Sequence, residues 1–124
     1  MKLELVEKNV ILNLSMEFSL RVIDYCEKLE NERKYILARQ LLKSGTSIGA
    51  NSFEAQNCES SADFIHKFKI AAKELNETQY WLLLCKKSKY YPECDELINR
   101  LVEIDKIINK IISTAKKKNP IVAY

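Results

Sequence analysis

Both glycines of the chain lie in one cluster of small and polar residues that continues a helical pattern. The cluster spans residues 44–52 and places Gly45 and Gly49 among serine, threonine and asparagine residues. Such a composition is typical of a loop. The chain nevertheless keeps a spacing of 3, 4, 3, 4 and 3 residues through it, at Tyr35, Ala38, Leu42, Gly45, Gly49 and Ser52. Because a loop has no reason to keep this period, we predict a helix through residues 44–52. Two glycines inside a helix cost about 1 kcal/mol each, and close packing of a neighbouring helix on the small side chains would offset that cost.

The same 3/4 spacing of apolar residues predicts three further helices. The four predicted helices span residues ~8–30, ~32–56, ~61–88 and ~93–117. Ser60 or Ser61 is the expected cap of the third helix, and Pro92 disfavours helix before it. A chain of 124 residues with 47% apolar residues has the size and the core of one domain. Four amphipathic helices with short connections predict an all-α fold, an antiparallel up-down-up-down four-helix bundle.

Composition excludes several classes of protein. A membrane span needs about 18 consecutive apolar residues, and the sequence has no such run. Residues 1–18 carry acidic groups within their apolar stretch and lack a small-residue cleavage site, so we expect no signal peptide. The four cysteines show no CxxC spacing, which favours reduced thiols. We expect a cytoplasmic protein that does not enter a membrane.

Two sequence blocks resemble a known family. The first block has the form Q-x6-SIGANSFEA and the second is FIHKFKIAAKELNETQYWL. They resemble the motifs of the 23S rRNA intervening-sequence protein family, a family of four-helix bundles. The matching positions are Gln40, Ser47, Ile48, Asn51, Glu54, Ser60, Phe64, Phe68, Ile70, Ala71, Glu74 and Leu75. The chain departs from the family pattern at Lys43-Ser44, where the family has Arg-Ala, at Ala55, where it has Gly, and around Lys73, where it has Gly-Ser.

The resemblance carries expectations about assembly and partners. It covers roughly residues 15–115 and includes the helix order. Members of the wider family form pentameric, barrel-like assemblies, so the resemblance implies a homopentamer. The departures look like those of a branch near the accessory proteins of diversity-generating retroelements, which are associated with nucleic acid and a reverse transcriptase. For most members no biochemical activity is established, so the resemblance implies fold more strongly than function.

The third helix carries more apolar surface than one bundle seam needs. The surplus residues include Ile70, Trp81, Leu83 and Leu84. A helix that is apolar on nearly all sides is buried on more than one face, so we expect these four residues to form a homo-oligomer interface. The alternative is that Trp81 and its neighbours cover a widened middle of the bundle.

Basic residues also fall on one side of the third helix. Lys69, Lys73, Asn76, Tyr80 and Lys87 share an outward stripe, and further lysines flank it. Lysines with an interleaved aromatic ring can neutralise phosphates and stack a base, so we predict RNA or DNA binding at Lys69, Lys73, Tyr80 and Lys87. The alternatives are a solvated lysine face, or a protein adaptor that uses the apolar surface of this helix without nucleic acid.

The residue inventory disfavours an enzyme. A di-iron bundle needs four carboxylates and two Glu-x-x-His units, whereas the chain has one histidine, His66. Cys58 and His66 lack an orienting third group, and residues 43–49 lack the GK[ST] ending of a phosphate loop. We therefore predict no catalytic residue, no metal and no cofactor.

Several polar residues of the two blocks have a structural role in this interpretation. These residues are Gln40, Ser47, Asn51, Glu54 and Glu74. Buried polar groups need hydrogen-bond partners, so we expect Glu54 and Glu74 to bond Ser47 or Asn51 across a helix interface.

Overall fold

The computed structural model of the chain describes residues 9–118, which form four long helices. The helices are α1 (Val10–Asn31), α2 (Tyr35–Ala55), α3 (Ser61–Lys87) and α4 (Asp95–Lys118). Each helix packs against its neighbours in sequence, and α4 closes the arrangement against α1. No strand occurs within residues 9–118. The prediction of an antiparallel four-helix bundle is confirmed.

The helix ends follow local capping chemistry. Asn9 precedes α1, and its side chain accepts a hydrogen bond of 3.3 Å from the Leu12 amide. Ser60 caps α3 by accepting a 3.1 Å bond from the Asp63 amide, as one of the two predicted caps. The predicted start of the first helix near residue 8 lies outside the described residues. The other predicted ends fall within three residues of the observed ones.

The turn after α1 uses a non-glycine residue in a left-handed conformation. Arg33 has a φ of 63°, and the Lys34 amide donates a 2.8 Å bond back to the carbonyl of Leu29. This arrangement satisfies a carbonyl at the helix end in the way that a glycine usually permits. A short connection of three residues, 32–34, therefore joins α1 to α2.

The two glycines lie inside α2, where this helix approaches α1 closely. A Cβ atom at Gly45 would lie 3.1 Å from Cγ1 of Val22, and one at Gly49 would lie 3.3 Å from Oγ of Ser15. Residues 44–52 are helical throughout. The predicted helix and the predicted close approach are both confirmed, and α1 is the helix that packs against the glycines.

A small polar pair is buried between α2 and α3. Thr78 donates a 2.9 Å hydrogen bond to Oγ of Ser44, and both side chains are fully buried. Ser15 and Ser52 are also fully buried and donate to carbonyls of their own helices. Every buried side-chain nitrogen and oxygen of residues 9–118 has a hydrogen-bond partner, so the small polar side chains bring the helices together without orphaned groups.

A membrane-spanning helix needs about 20 consecutive, mostly apolar residues. None of the helices within residues 9–118 combines the length and the apolar character that crossing a bilayer requires.

Candidate nucleic-acid interface

Helix α3 separates a buried face from an outward, polar face. Its buried residues recur at the spacing of a bundle seam, namely Ile65, Phe68, Ala71, Leu75, Thr78, Leu82 and Cys85. The predicted nucleic-acid residues lie on the opposite side of the helix at 3.6 residues per turn. Lys69, Lys73, Tyr80 and Lys87 are all exposed, and so is Asn76, which shares their side of the helix. We call these five residues the α3 stripe. At a rise of about 1.5 Å per residue, the stripe extends about 27 Å along the helix.

Two of the lysines that flank the α3 stripe, Lys67 and Lys86, are engaged in ion pairs. The Lys67 ammonium lies 3.3 Å from a carboxylate oxygen of Glu54, and that of Lys86 lies 3.0 Å from Asp95. The hydrogen bond to Asp95 raises the pKa of Lys86 above its usual value. These two lysines thus have carboxylate partners that reduce the positive charge they present to a ligand.

Two lysines of the α3 stripe itself have no such partner within residues 9–118. Neither Lys73 nor Lys87 forms an ion pair with a described residue. Their ammonium groups stand on the exposed side of the helix. An anion at this surface would meet positive charge without first displacing a carboxylate.

Tyr80 presents an aromatic ring in the middle of the α3 stripe. Its side chain is 57% exposed. The ring contacts Trp81 edge to face, with centroids 5.3 Å apart and planes at 65°. Trp81 in turn donates a hydrogen bond of 3.4 Å to the Glu77 carboxylate and packs against the core. The edge contact therefore supports the Tyr80 ring from one side and leaves over half of the side chain open to solvent.

The four residues predicted as an oligomer interface differ in exposure. Ile70 and Trp81 are half-buried, whereas Leu83 and Leu84 are exposed. Trp81 packs against the core. For this residue the structure therefore agrees with the alternative explanation, that it covers the middle of the bundle. The exposed apolar surface at this level of α3 comes mainly from Leu83, Leu84 and Tyr80.

The hydrogen bonds of the polar residues in the two sequence blocks differ from the expectation. Ser47 donates to the Lys43 carbonyl at 2.6 Å, and Asn51 donates to the Ser47 carbonyl at 2.9 Å, both within α2. Gln40 is exposed. The expected bonds from Glu54 and Glu74 to Ser47 or Asn51 are thus replaced by other contacts.

Glu54 and Glu74 make other contacts in their place. Glu54 pairs with Lys67, and the carbonyl of Glu74 accepts a 2.7 Å bond from Thr78 within α3. The cross-interface hydrogen bond is the buried one from Thr78 to Ser44. In the sequence, Thr78 occupies one of the regularly spaced seam positions of α3. A polar residue at such a position indicates a polar contact at the helix interface.

The thiols of the protein are free, and three of them are buried. Cys26, Cys85 and Cys94 lie in the core, and Cys58 is half-exposed. Burial raises the pKa of Cys26 to about 12 and that of Cys85 to about 11. Protonated, buried thiols are poor nucleophiles and poor metal ligands.

Cys58 and His66 border the same shallow hollow of about 380 Å³ beside the α2–α3 connection. The Cys58 thiol donates to the Glu54 carbonyl at 3.7 Å. Within residues 9–118, His, Cys, Asp and Glu side chains form no group of three that could hold a metal ion.

An open cavity of about 660 Å³ was not foreseen from the sequence. It lies between the α2–α3 connection and the last turns of α4, with Phe64, Ile107 and Ile111 on its apolar side and Lys110 and Lys118 among its polar lining. None of the predicted site residues lines it. Its wall combines residues more than forty positions apart, and helical periodicity within one segment carries no signal for such a surface.

Comparison with known proteins places the chain among similar bundles. A family model described as "23S rRNA-intervening sequence protein" matches residues 7–110. One similar solved structure is the crystal structure of a protein of unknown function from the S23 ribosomal protein family of Bacteroides thetaiotaomicron VPI-5482. It shares 42% sequence identity and a TM-score of 0.79, and the match covers 82% of this chain and 97% of that chain. No curated protein matches the chain.

Proposed function

Because this chain belongs to the 23S rRNA-intervening sequence protein family, we propose that it is a non-enzymatic, cytoplasmic bundle that binds nucleic acid through the α3 stripe. The family description and the S23 ribosomal protein family of the similar structure both refer to ribosomal components. We infer the nucleic-acid ligand from those names and the binding surface from the exposed face of α3.

The exposure of the α3 stripe is the observation that carries the proposal. Lys73, Tyr80 and Lys87 stand on a straight, outward helix face, and Lys73 and Lys87 have no ion-pair partner within residues 9–118. These two lysines lie about 21 Å apart along the helix and can contact phosphates several nucleotides apart on one strand, which contributes affinity without reading sequence. Tyr80 can stack an unpaired base, which every base permits because each has a π face.

This arrangement favours a single-stranded ligand with little sequence preference. The α3 stripe offers an ammonium row and one aromatic ring, whereas direct readout of base edges needs groups such as arginine or asparagine in a groove. Asn76 is the one amide of the stripe. We therefore expect unpaired RNA or DNA segments to bind more tightly than a duplex.

Self-association would raise the total affinity for nucleic acid if each α3 stripe binds weakly on its own. In a homopentamer, which the resemblance implies, each stripe is repeated in every subunit, and linked weak contacts give a much higher total affinity. The competing function is a protein adaptor without nucleic acid, which the exposed Leu83 and Leu84 favour.

Fluorescence anisotropy with labelled oligonucleotides at about 50 mM salt tests the proposed function. We expect the protein to bind single-stranded RNA or DNA, and we expect Tyr80→Ala to weaken that binding by roughly 1–3 kcal/mol while duplex binding changes little. Tyr35→Ala, at an exposed tyrosine of α2 outside the stripe, is the matched control. Undetectable binding of all oligonucleotides would reject the proposal in favour of the adaptor.

A further inference from the structure

The connection between α3 and α4 presents a tyrosine almost entirely to solvent. This connection spans residues 88–94 and begins directly after Lys87, the last residue of the α3 stripe. Tyr90 is 87% exposed, compared with 57% for Tyr80 on the α3 stripe itself. An aromatic ring contributes to a fold mainly by burying its large apolar surface. Packing within residues 9–118 therefore does not account for the ring of Tyr90.

The backbone at Tyr90 adopts a conformation that tyrosine rarely takes. Its φ is 67°, in the left-handed region. For a bulky residue this region is an outlier that the surrounding structure must enforce, whereas glycine enters it freely. The shape of the turn alone therefore gives no reason for an aromatic side chain at this position.

The two residues that follow Tyr90 are fixed to the bundle. The hydroxyl of Tyr25 in α1 donates a 2.7 Å hydrogen bond to the carbonyl of Pro92. The Lys34 ammonium lies 4.7 Å from the centroid of the Tyr91 ring, and Tyr91 packs against the core. The connection is thus held in place beside an exposed ring. A ring on a fixed backbone loses little conformational freedom when a ligand stacks on it.

Lysines without ion-pair partners adjoin Tyr90. Lys87 and Lys89 are exposed, and neither forms an ion pair with a residue of 9–118. The acidic residue of the connection, Glu93, is engaged at the start of α4, where its carboxylate accepts a hydrogen bond from the Asp95 amide. Ammonium groups next to an exposed ring offer partners for both the phosphates and the bases of a single strand.

From these observations we propose that Tyr90 is a second base-stacking residue, and that the nucleic-acid site continues from the α3 stripe into the α3–α4 connection. The inference rests on the proposed function and adds a residue and a ligand length to it. Lys87 lies about 10 Å beyond Tyr80 along the helix axis, and Tyr90 follows three residues later. One base cannot reach both rings, so the ligand is a single strand of several nucleotides.

Fluorescence anisotropy with a labelled single strand of about 12 nucleotides, within the site sizes of other single-strand binders, tests this role. Tyr90→Ala should weaken binding roughly 5- to 150-fold, the loss of one stacked base. Tyr90→Phe keeps the ring and is the matched control, which should bind like the wild type. In the variant that combines Tyr80→Ala with Tyr90→Ala the two losses should multiply, because each ring stacks a different base.

Tyr90→Gly separates stacking from a role in the turn. Glycine adopts the positive φ without strain, so this variant should unfold at or above the wild-type temperature and yet bind as weakly as Tyr90→Ala. Weaker binding of Tyr90→Gly together with a lower unfolding temperature would overturn the inference, since Tyr90 would then act through the fold. Weaker binding of Tyr90→Phe would also overturn it, because the ring would not be the contact.

Two further outcomes distinguish this inference from the proposed function. Wild-type binding that is weakened by Tyr80→Ala but unchanged by Tyr90→Ala and Tyr90→Gly would overturn the role of Tyr90 and leave the α3 stripe in place. A wild-type protein that binds no single strand would overturn the proposed function and this inference with it.

Discussion

Thr78 of α3 donates a hydrogen bond of 2.9 Å to the hydroxyl of Ser44 in α2, and neither side chain is exposed to solvent. The Thr78 hydroxyl also lies 2.7 Å from the carbonyl of Glu74. Ser44 has a much weaker second partner, the Leu41 carbonyl at 3.5 Å. The two members of the pair therefore depend on each other unequally.

This difference predicts that the two single substitutions destabilise the fold by unequal amounts. Thr78→Val leaves the buried Ser44 hydroxyl with one poor partner and should destabilise the fold by about 1–3 kcal/mol, the cost of an unsatisfied buried group. Ser44→Ala should cost less, because Thr78 keeps its bond to Glu74. The double variant should cost less than the sum of the two single variants. Urea unfolding of the four proteins measures these free energies, and equal, additive losses would contradict the role given to the pair.

The close approach of α2 to α1 predicts a strong effect of size at Gly49. Gly49→Leu should destabilise the protein by roughly 1–3 kcal/mol or more, because the new side chain overfills an interface in which a Cβ alone would lie 3.3 Å from Ser15. Ala50→Leu, at the exposed neighbouring position, is the matched control and should change stability little. Thermal unfolding of both variants provides the measurement. A Gly49→Leu protein as stable as the control would show that the helices have room to separate.

The buried thiols predict a loss of stability in alkaline solution. Desolvation raises the pKa of Cys26 from 9.0 to about 12, so the folded protein retains this proton at a pH where the unfolded chain has lost it. Unfolding then releases a proton above about pH 9, and the free energy of unfolding falls as pH rises towards the folded value. Cys85 contributes in the same direction, since its pKa is raised to about 11.

Urea unfolding between pH 8 and about 11 measures this effect, a range set by the thiol pKa values. Cys26→Ala should show a shallower decline than the wild type, whereas Cys58→Ser, at a half-exposed position, should decline in parallel with it. Identical profiles for the wild type and Cys26→Ala would show that the Cys26 thiol does not titrate differently on folding.

The features that were predicted correctly from the sequence depend on the spacing of residues within a single helix. The seam of α3 and the unbroken spacing through Gly45 and Gly49 depend on residues 3 and 4 apart, and both appear in the structure. The outward position of Lys73 and Tyr80 follows from the same period.

Contacts between helices were harder to predict, because they depend on the axial position of each helix relative to its neighbour. Glu54 pairs with Lys67 rather than with a small polar residue, and the hydrogen bond across the interface joins Thr78 to Ser44, which was not among the predicted polar residues. Rotation by one residue turns a helical side chain through about 100°, which is enough to exchange an interface position for a flanking one. The left-handed conformation of Arg33 was also not predicted, because a positive φ is normally found at glycine.

The salt dependence of single-strand binding by a triple variant tests the central claim most directly. Lys69→Gln, Lys73→Gln and Lys87→Gln together remove three ammonium groups from the α3 stripe, and Lys106→Gln, Lys110→Gln and Lys117→Gln remove three exposed ones from α4 as the control. If the stripe contacts phosphates, the α3 variant should bind more weakly, and the slope of log affinity against log salt should flatten by up to about three, near one for each lost contact. The control should keep the wild-type slope. Wild-type affinity and slope in the α3 variant would contradict the account and move the search to Arg39, Lys43 and residues 116–118.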